Sequence, residues 1–172
     1  MILKMEGDNM SKVLILYYSF EGSTKKIAEY LANNLQVDIK RVEPVNELKS
    51  KGFSKFLWGG SQVIMKKTPE IKDLNINMDD YDLIILGSPI WAGNFAPPIY
   101  TMFEKGLIKN KKIAYFYCHE GGASKSVKRA MTSFEKDNNE LIGDLSCLNV
   151  VKNFDTVKDE ALNWAKTFIK QI

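Results

Sequence analysis

Val13-Leu14-Ile15-Leu16-Tyr17-Tyr18, followed by Ser19-Phe20-Glu21-Gly22-Ser23-Thr24, is the stretch that decides how this chain folds. The first half is apolar at every position, contains β-branched and aromatic side chains, and is too short for a helix. A segment apolar toward both faces reads as a parallel strand buried on both sides of a sheet. The second half is a polar turn around Gly22. Beyond it Ile27, Ala28, Leu31, Ala32 and Leu35 recur at helical spacing, which predicts a first helix from Thr24 to Leu35. Strand, turn and helix in this order open a β-α-β unit, and the rest of the chain repeats the theme.

Residues 37–42 alternate and read as a second, more exposed strand that Pro44 ends. Over residues 46–67, Phe53, Phe56, Leu57, Ile64 and Met65 suggest a helix, weakened by Gly59-Gly60 and stopped by Thr68-Pro69. Leu83-Ile84-Ile85-Leu86 is a third, fully apolar strand closed by Gly87-Ser88-Pro89, and a long loop is expected over residues 88–96. Pro97-Pro98 can open the next helix, which runs to Gly106, because proline is tolerated in a first turn. Residues 113–118 form a fourth strand, and Val127, Ala130, Met131 and Phe134 mark a helix after it. Glu140 to Gly143 reads as a weaker fifth strand. Asp155-Thr156 begins the last helix, with Asp159 completing a capping box and Val157, Ala161, Trp164, Ala165, Phe168 and Ile169 as its buried face. Alternation of this kind predicts an α/β fold, a doubly wound parallel sheet with helices on both faces. In such sheets ligands bind beyond the carboxyl ends of the strands, where the winding reverses. Function is therefore sought in the loops after the first, third and fourth strands.

Composition narrows the classes. The chain has 172 residues, 45% hydrophobic, 26% charged and 11% aromatic, which is globular. There is ample apolar material for a core, so disorder is excluded as the main state. No run approaches the roughly 20 apolar residues that cross a bilayer. The net charge is 24 − 21 = +3, with lysines scattered among carboxylates, so neither a nucleic-acid face nor a membrane surface is expected. Cys118 and Cys147 make no disulfide framework and no zinc spacing, and read as two buried free thiols of a cytoplasmic protein. Residues 1–10 carry no secretory signal and are expected to be a mobile extension, with one domain over 11–172.

Each of the three loops has a chemical and a bland reading. Ser19, Glu21, Gly22, Ser23 and Thr24 place hydroxyls and a glycine at a helix start whose backbone N–H groups are unpaired. That arrangement suits a phosphate dianion; the alternative is a helix cap with spare serines. In the second loop, Ser88, Pro89, Ile90, Trp91, Ala92, Gly93 and Asn94 put an indole at the functional edge. It either stacks on a flat ring or folds back onto the core. In the third, Cys118, His119, Gly121 and Gly122 combine a histidine with a glycine pair that permits close backbone approach. His119 is either a proton donor or a polar loop residue. A receiver domain is set aside because Ser19 and Ser88 occupy the strand ends where its acidic residues would stand. The chain also lacks a G-x-S-x-G elbow and a G-x-x-x-x-G-K-[ST] loop, and has one histidine.

Together the loops resemble the flavodoxin family. Ser19-x-x-Gly22-x-Thr24 is similar to the family's FMN-phosphate loop, residues 87–93 to its first ring-binding loop, and residues 118–123 stand where its second should be. The resemblance covers about residues 11–172. It implies a three-layer sandwich with a five-stranded parallel sheet in the order 2-1-3-4-5, and FMN bound without a covalent bond. Ser19, Glu21, Gly22, Ser23 and Thr24 would line the phosphate loop, with Ser88 to Asn94 and Cys118, His119, Gly121 and Gly122 at the ring. It implies an electron carrier that meets redox partner proteins at a small transient interface, as a monomer or homodimer. The alternative on the same fold is an NAD(P)H-dependent flavin or quinone reductase, with His119 or Tyr117 as proton donor. The chain has no G-x-G-x-x-G turn for a separate nicotinamide site. Three departures point to a variant branch: Glu21 where the family has Ser or Thr, no tyrosine after Cys118 to cover the flavin, and a charge of +3 in place of a strongly acidic one. Residues 50–68, including Trp58, form either one helix or a flap over the flavin.

Overall fold

The computed structural model describes residues 12–47, 68–121 and 131–170. The N-terminal extension, most of the helix expected over 46–67, Trp58, Gly122 and most of the helix expected around Val127 lie outside the described residues. In chain order the elements are β1 (Val13–Tyr17), α1 (Ser23–Leu35), β2 (Asp38–Arg41), β3 (Leu83–Trp91), β4 (Asn94–Phe95), α2 (Pro97–Glu104), β5 (Lys112–His119), β6 (Glu140–Leu148) and α3 (Val150–Ile169). One sheet runs β2-β1-β3-β5-β6 with every neighbouring pair parallel, and β4 folds back antiparallel on β3. With that hairpin set aside, this is the winding 2-1-3-4-5.

Side chains on a strand alternate between faces, and β1 shows what this does to an all-apolar sequence. Leu14 and Leu16 face one core, with Tyr115, Phe103 and Phe134; Val13, Ile15 and Tyr17 face another, beneath α1 and α3. All five β1 residues are buried. Both faces are therefore covered, and the sheet is the middle of three layers. Full burial of one such side chain contributes about 1.5–3 kcal/mol. Tyr81, just before β3, donates from Oη to Asp38 at 2.8 Å and ties the entry of β3 to β2. Burial and that carboxylate push the phenol up to about 12.

Four expectations need correction. The loop expected over 88–96 is strand and hairpin: β3 continues through Pro89 to Trp91, and Ile90 and Trp91 pair with Phe95 and Asn94. The turn between them is Ala92-Gly93, with φ of 47° and 77°. Positive φ at both central residues matches the twist of the flanking strands. β6 is nine residues long where only 140–143 was expected. It is an edge strand, exposed or half-exposed at every position but Cys147, so its sequence lacks the apolar run of a central strand. α3 begins at Val150 behind Asn149 (φ 49°) and is irregular at Asn153, so Asp155 marks only its second part. Thr156 sits inside that helix, and Asp159 accepts a hydrogen bond from Tyr30 Oη at 3.2 Å in place of the expected capping box. Finally, α1 starts at Ser23, one residue earlier than expected.

Candidate functional site

The register of the sheet brings three chain exits side by side. Tyr17 lies opposite Gly87, Ser88 opposite Tyr117, and Pro89 opposite Cys118. The segments leaving β1, β3 and β5 therefore share one carboxyl rim.

The β1 exit is a tight turn. Ser19 is buried, and its Oγ accepts from the Gly22 N–H at 3.2 Å. Gly22 adopts φ +98°, a left-handed conformation that glycine adopts without a steric penalty. A Cβ there would meet nothing within 4 Å, so the requirement is conformational and the space above it is open. As the cap of α1, Gly22 offers no side chain to the first helical N–H groups, and the first turn holds no acidic residue. Ser23 is half-buried beside it. Thr24 is 1% exposed, and its Oγ1 has no hydrogen-bond partner. Glu21 is exposed on the turn.

Arg41, at the carboxyl end of β2, was not among the residues singled out from sequence. Its Nη2 donates to the Ser19 carbonyl at 3.0 Å and lies 3.7 Å from Glu47. Its Nε is buried without a partner. Glu47 also accepts from Tyr18 Oη at 2.8 Å. The only sequence signal was an arginine ending the strand beside β1.

The β3 exit carries Trp91, half-buried and nearly perpendicular to two rings, Tyr18 at 5.9 Å and Phe20 at 5.7 Å between centroids. Both of those rings come from the β1 exit, so Trp91 locks the two exits together. A cavity of about 240 Å³ opens beside it, lined by Tyr18, Glu47, Pro69, Trp91, Pro97 and Pro98. Ser88 is fully buried; its hydroxyl accepts from Ala96 N–H at 3.0 Å and donates to the Pro89 carbonyl at 2.9 Å, closing the base of the hairpin. Gly87 is required by packing. A Cβ at Gly87 would stand 2.3 Å from the Phe116 ring, so the glycine makes room for that ring. Ile90, Gly93 and Asn94 are half-buried and Ala92 is exposed at the tip, with Asn94 Oδ1 accepting from Tyr100 Oη at 3.3 Å.

The β5 exit divides its expected residues. Cys118 is buried in the core beneath α1 and α3, in register with Cys147, and both are free thiols. The hydrogen bond that the Cys147 thiol gives to Cys118, together with burial, holds the Cys147 thiol well above the usual range. Cys118 thus faces the core, away from the other expected site residues. His119 is half-buried at the rim; its Nε2 is 2.7 Å from Ser146 Oγ and its ring stacks on Tyr117 at 5.9 Å. Burial lowers its pKa below 6.5, against a smaller opposing pull from the Gly121 backbone, so the ring is neutral at neutral pH. Its Nδ1 is buried without a hydrogen bond. Gly121 follows with φ +146° and open space where a Cβ would stand.

Among the described residues, buried side-chain polar atoms without partners are Thr24 Oγ1, Arg41 Nε, Tyr115 Oη and His119 Nδ1. Thr24, Arg41 and His119 stand at the carboxyl rim. Each such atom costs about 1–3 kcal/mol if nothing satisfies it. A hydroxyl, a guanidinium N–H and open helical N–H groups around one turn fit a phosphate, and an aromatic cluster beside them fits a flat ring. A model of the flavodoxin family matches residues 12–167.

The chain belongs to the flavodoxin family. It is 28% identical over 140 residues to BilS, a flavodoxin-like domain-containing protein of Clostridioides difficile, an alignment covering 79% of this chain. The chain spans 65% of that protein's length. It is 24% identical over 180 residues to a flavodoxin of Maridesulfovibrio salexigens, covering 95% of this chain and all of that one. Among solved structures, a flavoprotein of Lactobacillus acidophilus in complex with FMN superposes with a TM-score of 0.69 at 28% identity, covering 85% of this chain and 99% of that chain. This rim carries Glu21 in the β1 turn and Arg41 bonded to that turn from β2.

Proposed function

We propose that this protein binds FMN without a covalent bond at the carboxyl rim and carries electrons between redox partner proteins. The observation that carries the reading is the β1 turn: a left-handed Gly22 caps α1 with no side chain, and beneath it Thr24 Oγ1 is buried and unpaired. A phosphate dianion satisfies both, through helical N–H groups, hydroxyl donors and the positive end of the helix dipole. Ser19, Ser23 and Thr24 hold the phosphate, with Glu21 exposed on the same turn. Trp91, braced by Tyr18 and Phe20, presents a rigid indole to the ring. Backbone groups of the hairpin and of residues 119–121 bond the ring edge. FMN supplies the redox chemistry, and the protein sets its orientation and potential.

A carrier of this kind needs no catalytic acid or base. Its contacts with partners are small and transient. We place it in the cytoplasm; among the described residues no helix is long and apolar enough to cross a membrane. The test is optical. The purified protein is expected to be yellow, to release FMN on denaturation, and to keep its absorbance when NADH or NADPH is added alone. Rapid bleaching by either nucleotide would replace the carrier with a reductase.

A further inference from the structure

We propose that Arg41 is the residue by which this site distinguishes a phosphorylated flavin from an unphosphorylated one. The inference rests on the FMN reading above and adds a charge that the β1 turn does not contain. No lysine or arginine occurs between Ser19 and Thr24, and Glu21 adds a negative charge. Lys25 and Lys26 follow on α1, but both are exposed and Lys25 is turned to Glu29 at 3.6 Å. The helix N-terminus supplies roughly half a unit charge. Among the described residues Arg41 is the cation bonded to the turn itself, through Nη2 to the Ser19 carbonyl at 3.0 Å. Ser19 in turn fixes Gly22 through the 3.2 Å bond that shapes the turn. One guanidinium nitrogen therefore holds the frame, while Nε stays buried with nothing to bond. Glu47 stands 3.7 Å from Nη2, outside hydrogen-bond range, so it moderates the charge while Nε stays open. Bonds from a charged donor to an anion are about twice as strong as neutral ones, so a phosphate benefits from this cation and a ribityl hydroxyl benefits much less.

The competing explanation is that Arg41 is only a brace for Ser19. A brace affects every ligand of the turn alike, whereas a charge acts on the phosphate. The experiment titrates flavin-free protein with FMN and with riboflavin, following quenching of flavin fluorescence, for the unaltered chain, Arg41→Gln and Arg41→Lys, at low and high salt. Arg41→Gln is expected to weaken FMN by about 10- to 100-fold and riboflavin by less than about threefold, and to flatten the salt dependence of FMN affinity. Arg41→Lys, which keeps the charge, is expected to recover part of the preference for FMN. Equal losses for both flavins, no loss for either, or an Arg41→Lys protein no better than Arg41→Gln would overturn the assignment. Should Arg41→Gln fail to fold, the Lys variant decides, since a preference lost with the charge still present also overturns it. Failure of the unaltered chain to bind FMN would instead overturn the reading beneath.

Discussion

Thr24 is the residue on which the proposed phosphate site turns. Its hydroxyl is buried and unpaired, an arrangement that makes sense when a ligand completes it. Thr24→Val keeps shape and burial and removes the donor. It is expected to weaken FMN by about tenfold while leaving thermal stability of the flavin-free protein unchanged or slightly raised, measured by flavin titration and thermal melting. Gly87 shows the opposite kind of constraint. Its missing Cβ is replaced by the Phe116 ring at 2.3 Å, so Gly87→Ala should destabilise the fold by about 1–3 kcal/mol in a urea titration through overpacking. His119 carries a pH dependence. Its folded pKa lies below 6.5, so in the window between the two the unfolded chain binds the extra proton. The stability linked to His119 is therefore fully present above about pH 6.5 and is lost as the pH falls through the folded value. Denaturation of the flavin-free protein across that window should show the decline, and His119→Gln should remove it.

At the scale of elements, what was legible in the sequence followed burial. β1, the apolar start of β3 and β5 are buried on both faces and read as unbroken apolar runs; α1 showed its 3.6-residue stripe. The elements that escaped are those whose cause is tertiary. The hairpin of β3 and β4 was hidden because Pro89 looks like a stop and alanine is not the usual residue at a left-handed turn position. β6 pairs on one side only and keeps polar residues such as Asp144 and Ser146. The site divides in the same way. Ser19, Gly22, Thr24 and Trp91 announced themselves by residue type and placement. Arg41 did not, because its role exists only once β2 lies beside β1 and its guanidinium reaches Ser19. The hairpin makes its own prediction. Ala92 sits at φ 47°, where alanine is strained. Ala92→Asn, giving the Asn-Gly pair that such turns prefer, should raise stability by about 0.5–1 kcal/mol in chemical denaturation.

At the scale of the whole molecule, winding brings the exits of β1, β3 and β5 to one edge, and the helix layers bury everything behind it. Net charge acts at this scale too. At +3 the protein attracts the reduced, anionic flavin, whereas a strongly acidic surface would repel it. The second reduction step should therefore be less negative than in an acidic flavodoxin, and a spectroelectrochemical titration giving a more negative value would contradict the charge argument. All of this depends on the rim holding FMN at all, and titration of the flavin-free protein with FMN measures that directly. Saturation is expected at one equivalent, with micromolar or tighter affinity and quenched flavin fluorescence; a protein that stays colourless and leaves micromolar FMN free in solution would contradict FMN binding at this rim.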